Sequence, residues 1–346
     1  DEIIEGLSLT AELTPRTLDL VVSFGERLSS SLVLPILREI ATVHHVPATA
    51  LFVTNDRHRF ALLQTGATGD NVDRLIRPFF ATTAKDVHDR LLVTEGYVGR
   101  TFGGEVSTMG RESSDFSAAF LGAALEAREV CLYTGVPGVM SADPAQVTGV
   151  RTIDRLDYRS AREIARLGAK VLHPRTLRPV EEAQIPLVIT NVAGERTVIG
   201  PDLAPEATVM PMIVDASRLQ ITLQRVDCPV DEIHATVLRR SDVLRTTRSG
   251  RRLDVFVRGP VAHSVIDTLL GLGQVESAAV DAVSLLSLVC GTAIDPERIG
   301  AFLALMRRDE IDGLWSDPEE RSISVILVGF DPEAVLRRVH EQFLGR

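Results

Sequence analysis

The chain has 346 residues, 45% hydrophobic and 24% charged, with a formal net charge of -10. That length allows two or three domains with ample core, and the acidic balance excludes a general attraction to nucleic acid or to an anionic membrane. Cys131, Cys228 and Cys290 are widely spaced and form no C-x-x-C pair, which suggests neither a disulfide framework nor a zinc site and fits a reduced, cytoplasmic compartment.

The chain opens DEIIEGLSLT, acidic and without Met, so the interior of a longer protein is expected. No unbroken apolar run approaches the ~20 residues of a membrane span. TPRTLDLVVSFGERLSSSLVLPILREI predicts a helix with Thr14 as N-cap and Pro15 at the first helical position. Its apolar residues Leu18, Val21, Val22, Leu28, Leu32 and Ile36 recur near helical spacing. Glu26 stands among Phe24, Gly25 and Leu28, and a carboxylate in such company needs a partner. That partner is either Arg27 or a neighbouring helix in an internal ion pair, or a ligand.

ATALFVT, RLLVTEGYVG, EVCLYTG and IPLVITN read as short buried strands ending in turn residues. STMGRESSDFSAAFLGAALEA crowds polar residues ahead of a small and apolar helix. Arg111 offers a bidentate clamp for carboxylate or phosphate. Ser114 and Asp115 stand at the helix start, either as N-caps or facing an anion. In LYTGVPGVMSADPAQ a strand runs into a loop bent by Gly135, Pro137, Gly138 and Pro144; such a loop can cradle a nucleotide or be a plain connection. YRSAREIARLG predicts a helix closed by Gly168. Lys170 follows it in LGAKVLHPRTLRP, as a point cation suited to phosphate or as a solvated surface residue. Helices alternating with apolar strands indicate an α/β layered domain.

The Pro-, Gly- and charge-rich stretch GERTVIGPDLAPEATVMP marks a domain boundary. Two similar units follow, each reading strand, helix, strand, strand, helix. The first runs LQITLQRV, VDEIHATVLRR, VLRTTR, RLDVFVRG and PVAHSVIDTLLG; the second runs VSLLSLVCG, DPERIGAFLALMRR, IDGLWSD, RSISVILVG and DPEAVLRRVHEQFL. Each predicts a small antiparallel sheet with helices on one face, of the kind that pairs across sheet edges.

In this order, LTPRTLDLVVSFGERLSS, TEGYVGRT with STMGRESSDFSAA, YTGVPGVMSADPAQV and LGAKVLHPRTLRPVEEAQIPLVITN resemble the blocks of the aspartokinases. These are the branch of the amino-acid kinase family that phosphorylates the side-chain carboxylate of L-aspartate. The match runs from Thr14 to Asn191, and the repeat behind it resembles the paired ACT domains of that branch. The resemblance implies a three-layer α/β/α amino-acid-kinase (carbamate-kinase-like) domain over residues 1–200 and a linker over 201–216. Two ferredoxin-like α+β ACT domains follow, over 217–280 and 281–346.

It also implies ATP and Mg²⁺, with 4-phospho-L-aspartate and ADP as products, at the head of lysine, methionine and threonine synthesis. Glu26 would contact the amino group of aspartate and Arg111 its carboxylate. Ser114 and Asp115 would face the reacting centre. Thr134, Gly135, Met140 and Lys170 would lie along the nucleotide; no metal-ligating residue is singled out. A homodimer or larger oligomer through the ACT pair is expected, with an amino-acid effector and no nucleic-acid or membrane partner.

Three departures stand against this. No K-x-G-G-[ST] loop, the family's phosphoryl cradle, occurs in these residues. Gly135, Met140 and Ala145 stand where the family generally has Asp, Tyr or an apolar residue, and Arg; Glu112 and Ser113 replace a frequent Gly-Gly. VDCPVDEI lacks the Gly-rich effector turn, so no particular effector is implied. The alternatives are a catalytically impaired, amino-acid-sensing homologue or a kinase of a different acidic amino acid.

Overall fold

The computed structural model describes residues 5–6, 8–9, 12–81, 90–110, 112–167, 171–201, 209–228, 230, 233, 243–258, 261, 263–291, 294–317, 321–327 and 331–344. The first part of the chain runs α1 (Pro15–Ile40), β1 (Thr42–His45), α2 (Ala48–Leu51), β2 (Val53–Thr54), α3 (Thr65–Leu75), α4 (Arg77–Phe80), β3 (Arg90–Val93), β4 (Val98–Thr101) and β5 (Val106–Thr108). Next come α5 (Ser113–Ala124), β6 (Val130–Tyr133), β7 (Arg155–Leu156), α6 (Tyr158–Arg166), α7 (Pro174–Glu182), β8 (Leu187–Thr190) and β9 (Arg196–Ile199). The remainder is β10 (Val209–Leu223), β11 (Val243–Ser249), β12 (Arg252–Arg258), α8 (His263–Leu270), β13 (Val275–Cys290), α9 (Pro296–Ala304), β14 (Ile311–Asp317), β15 (Ser322–Leu327) and α10 (Pro332–Leu344).

The chain forms two compact units, one of residues Asp1–Leu132 and Arg175–Leu187, the other of Tyr133–Pro174 and Val188–Arg346. In the first unit β1 pairs with β3 in parallel, and β2 pairs with β4, which turns back antiparallel onto β5. Its core gathers Val46, Leu51, Phe52, Val72, Ile76, Val98 and Met109.

As predicted, α1 starts with the Thr14 hydroxyl accepting from the Thr17 N–H at 3.1 Å and Pro15 in the first turn. Its orientation inverts what the apolar spacing suggests. Leu28, Leu32 and Ile36 are 62–65% exposed, whereas Asp19 and Ser23 are fully buried. Asp19, Ser23, Glu26, Ser30 and Leu34 recur at the i, i+3/i+4 spacing of one helix face; each is buried or half-buried.

Asp19 explains the inversion. Its carboxylate accepts from the Arg59 N–H (2.9 Å), the Thr108 N–H (3.1 Å) and the Thr108 hydroxyl (2.6 Å), and lies 3.0 Å from His58 Nδ1. A buried carboxylate is tolerated only when it is hydrogen-bonded in this way. By length and composition α1 could cross a membrane, which the absence of an unbroken apolar run does not foretell. The Asp19 network makes it a helix of the folded unit.

ATALFVT is not one strand. Ala48–Leu51 is a helical turn, because Pro47 presets its start and the Glu95 carboxylate accepts the Ala48 N–H at 2.7 Å.

In the second unit β10 and β13 run antiparallel at the centre of a six-stranded sheet ordered β11–β12–β10–β13–β15–β14. The repeated units are thus joined edge to edge, which removes one exposed edge from each. Residues 209–216, read as linker, are strand: Val209–Ala216 pairs with Val283–Cys290 despite Pro211. That partner lies far along the chain, so local composition cannot reveal it. The helix expected over VDEIHATVLRR falls largely outside the described residues, as does Gly168 at the end of α6.

Polar side chains tie α6 and the loop after β6 to this sheet. Glu163, 1% exposed, is clasped by Arg166 at 2.6 and 2.7 Å and accepts from the Ser322 hydroxyl of β15. Arg166 also donates to the Leu244 carbonyl of β11 at 2.6 Å. Asp157 caps α6 and pairs with Arg321 at 3.0 Å. Ala142 and Val147 join the core built by β13, β15, α9 and α10.

Replacing Asp19 by Ala strands several buried donors. We expect a loss of roughly 2–4 kcal/mol in unfolding free energy, read from urea denaturation; a change below about 0.5 kcal/mol would show that the network does not hold α1.

Candidate active site

The start of α5 is positioned by the β4–β5 hairpin. Val98 pairs with Thr108, and the chain then turns through Gly110 at φ +89° and Glu112 at φ +61°. Ser113 donates its hydroxyl to the Met109 carbonyl at 2.8 Å, and Ser117 donates to the Ser113 carbonyl at 2.8 Å. The helix begins at Ser113 with Glu112 in the cap position and no side-chain cap bond. Ser114 and Asp115 are therefore not N-caps. The left-handed Glu112 starts the helix one residue earlier than the polar pattern suggests, which places both in its first turn.

Ser114 is exposed and Asp115 half-buried, so both remain available to a ligand at the positive end of the helix. Burial, and then the Glu112 carboxylate, push the Asp115 carboxyl above its ordinary value.

A second segment, Glu95–Tyr97, lies against this helix start. A Cβ on Gly96 would meet Ser114 Cα at 2.8 Å, so only glycine permits the approach. The Tyr97 N–H donates to Ser117 Oγ at 3.3 Å. Glu95 is buried and is held by the Ala48 N–H at 2.7 Å and by His45 Nε2 at 3.0 Å. These bonds outweigh burial and keep its pKa below the ordinary value.

Glu26, one turn before Ser30, is half-buried. Its carboxyl is pushed up, first by burial and then by the Glu95 charge. Among the described residues it forms no ion pair; Arg27 instead lies over the Phe24 ring at 5.1 Å. The ligand alternative for Glu26 therefore stands, and the internal ion pair with Arg27 does not form.

Glu95 and Arg175 escape the sequence reading. An acid inside the otherwise apolar LLVTEGYVG is the signal that could have drawn attention to Glu95. Arg175, at the start of α7, lies over the Phe116 ring at 4.9 Å and donates to the Met109 carbonyl at 3.4 Å. Burial lowers its pKa. Arg111 and Lys170 lie outside the described residues.

Thr134, Gly135 and Met140 belong to the second unit. Thr134 donates its hydroxyl to the Val136 carbonyl at 2.8 Å and accepts the Val136 N–H at 3.3 Å, which closes the turn after β6. Gly135 is exposed, with nothing within 4 Å of a Cβ. Gly138, at φ +147°, packs against Thr197, whose backbone nitrogen would lie 2.9 Å from a Cβ. The Val139 N–H donates to Thr197 Oγ1 at 2.8 Å.

Beside this loop is a mainly apolar cavity of about 200 Å³, lined among others by Val136, Gly138, Met140, Val171 and Met212. Pockets that enclose a whole ligand span about 300–1,000 Å³; this one is smaller. Ser141 Oγ accepts the Arg151 N–H at 3.0 Å and lies 3.0 Å from His340 Nε2 of α10. Burial and the Arg151 charge favour neutral His340.

The sequence pattern of the amino acid kinase family matches residues 3–191, and the chain belongs to that family. Within it, the chain is similar to lysine-sensitive aspartokinase 3 of Escherichia coli, at 32% identity over 202 residues, 57% of this chain and 43% of that protein. It is also similar to chloroplastic aspartokinase 2 of Arabidopsis thaliana, at 28% identity over 334 residues, 94% of this chain and 54% of that protein. It thus spans about half the length of these relatives.

Among solved structures, E. coli aspartokinase III in complex with aspartate and ADP superposes with a TM-score of 0.82 at 23% identity. That match covers 100% of this chain and 80% of the other, and it shows the fold: the α/β fold of the amino acid kinases followed by two α+β units that share one sheet.

The two loop glycines should respond differently to substitution. Gly96→Ala forces the backbone at Ser114 to move and should cost roughly 1–3 kcal/mol. Gly135→Asp enters open space and should change stability by less than about 0.5 kcal/mol. Parallel denaturant titrations check both; equal effects would contradict the packing described.

Proposed function

We propose that this protein is an aspartate kinase, which transfers the γ-phosphoryl group of ATP to the side-chain carboxylate of L-aspartate. The observation that supports it best is the inward polar face of α1. There the Glu26 carboxylate, without an ion pair among the described residues, feels the charge of Glu95, and Gly96 brings the adjoining segment against Ser114 at the start of α5. Glu26 binds the α-ammonium group. Arg111, next to Gly110, clamps a carboxylate. Ser114 and the first-turn N–H groups of α5 stabilise negative charge on the transferring group, and Asp115 orients the acceptor.

The acceptor carboxylate is already ionised at neutral pH, so the reaction needs no general base. One of its oxygens forms the new P–O bond as the bond to the β–γ bridging oxygen breaks. The products are 4-phospho-L-aspartate and ADP. Catalysis then rests on positioning and charge compensation.

On the nucleotide side, the mainly apolar cavity beside Met140 and Val171 would take the base. The turn at Thr134 and Gly135 would follow the ribose and phosphates, and Lys170 would offset phosphate charge. Mg²⁺ would be carried largely by the phosphates of the nucleotide. The paired units, with β11 and β14 as the sheet's outer strands, would take an amino-acid effector and join a second copy into a homodimer.

A second reading, an amino-acid sensor without kinase activity, is favoured by the loop itself. Gly135 and Ala145 are exposed and offer a nucleotide no side-chain group beyond a methyl. Separate titrations decide: the sensor binds aspartate and no ATP, the kinase binds both.

The intact protein with ATP and Mg²⁺ should release ADP only when aspartate is present. Glu26→Ala should raise KM for aspartate by about 100-fold or more. Glu26 must be ionised to hold an ammonium, and burial, then the Glu95 charge, push its carboxyl above the ordinary value. Affinity should therefore be full at neutral pH and fall as pH drops through that raised value. ADP release indifferent to aspartate would refute the assignment.

A further inference from the structure

Met140, Met210 and Met212 are three of the five methionines of the chain, and all three line the cavity beside the loop after β6. Two of them come from β10, which lies beyond residues 3–191 of the kinase pattern and is the first strand of the six-stranded sheet along the chain. Side chains alternate along a strand, so Met210 and Met212 share a face with Val214 and Ala216, which pack with Leu285 and Phe256. Ile213 points the other way, into the core built by β13, β15, α9 and α10.

This wall is held in place. Met210 pairs with Val289 and Met212 with Ser287 in the register of β10 on β13, and the Ser287 and Ser324 hydroxyls bond at 2.7 Å. On the loop, the Thr152 hydroxyl donates to the Met140 sulfur at 3.6 Å. Met210 is 3% exposed, whereas Met140 and Met212 are half-buried, so a ligand in the cavity meets the last two directly.

The loop has already spent many of its directed donors. The Val136 N–H donates to Thr134 Oγ1, the Val139 N–H to Thr197 Oγ1 and the Ser141 N–H to the Arg151 carbonyl. The Ala145 N–H donates to Asp143 Oδ1 and the Gln146 N–H to the Asp143 carbonyl. The Gln146 side-chain amide carries both donors and an acceptor, which suits either purine. A thioether is polarisable, packs well about 5 Å from an aromatic ring and adapts to the outline of its partner.

Resting on the kinase reading of the turn at Thr134 and Gly135, we propose that Met210 and Met212 are nucleotide-binding residues. With Met140 they grip a purine ring by sulfur and apolar contact, without reading its hydrogen-bonding groups, so the site takes guanine nucleotides as well as adenine ones. Part of the base contact therefore comes from the sheet of the paired units. At about 200 Å³ the cavity is smaller than a pocket that encloses a whole ligand. The base enters it, and the ribose and phosphates stay on the turn that Val136 joins to the cavity wall.

The intact protein with carbon-13-labelled methionine methyl groups tests the placement. ADP should shift Met140, Met210 and Met212 saturably and further than Met109 and Met306. By calorimetry, GDP should bind within about tenfold of ADP, whereas a site that hydrogen-bonds the base would separate the two by roughly 10⁴. Met212→Ala should weaken both nucleotides by a common factor, roughly 2- to 10-fold, and leave the aspartate dissociation constant unchanged. Met212→Leu, which keeps the volume and removes the sulfur, should show a smaller common loss. ADP binding that leaves the three methyl groups unmoved, a gap between ADP and GDP above about tenfold, or a loss confined to one nucleotide would overturn the proposal. A protein that binds neither nucleotide would instead remove the kinase reading on which the proposal rests.

Discussion

The buried Asp19 carboxylate sets the rotation of α1, and the candidate site depends on that rotation. Four donors from the 58–59 turn and from Thr108 converge on it. Once Asp19 points inward, the 3.6-residue period carries Ser23, Glu26 and Ser30 inward with it and turns Leu28, Leu32 and Ile36 outward. Thr108 ends β5, and the following turn through Gly110 and Glu112 delivers α5. The same carboxylate therefore registers both helices of the amino-acid side. A hydrophobic contact is non-directional and could not fix this register as a set of directed hydrogen bonds does.

A comparable economy holds the second unit. Glu163 would be costly to bury alone; with Arg166 and Ser322 around it, the charge becomes a specific joint between α6, β11 and β15. Ser141, in the loop that carries Met140, meets His340 of α10, while Ala142 and Val147 enter the core of the second repeated unit. A change in the six-stranded sheet thus has short, directed routes to the loop proposed to hold nucleotide. Coupling of this kind requires two arrangements of the joint that a ligand can bias.

Much of this was legible in the sequence. Thr14 and Pro15 mark the start of α1, the second repeated unit runs strand, helix, strand, strand, helix in the expected order, and Glu26 stands out as a carboxylate without an obvious partner. Other features depend on contacts between distant residues. Leu28, Leu32 and Ile36 follow a core-like period, yet Asp19 decides which face is buried through residues 39 to 89 positions away. Ser114 and Asp115 look like caps until Glu112 takes the left-handed conformation. Val209–Ala216 looks like linker until β13, more than sixty residues later, pairs with it. Glu95 reads as one polar residue in a strand-like run; only packing ties it to His45 and Ala48 while the next residue, Gly96, abuts the start of α5.

The central claim is that the inward polar face of α1 and the start of α5 form one amino-acid binding site. Titrating isotope-labelled protein with L-aspartate, and following residue-specific NMR shifts, tests it most directly. Saturable shifts at Glu26, Ser30, Glu95 and Ser114, sharing a single dissociation constant, are the predicted result. Saturable binding that leaves these four unmoved and perturbs only the six-stranded sheet would contradict it.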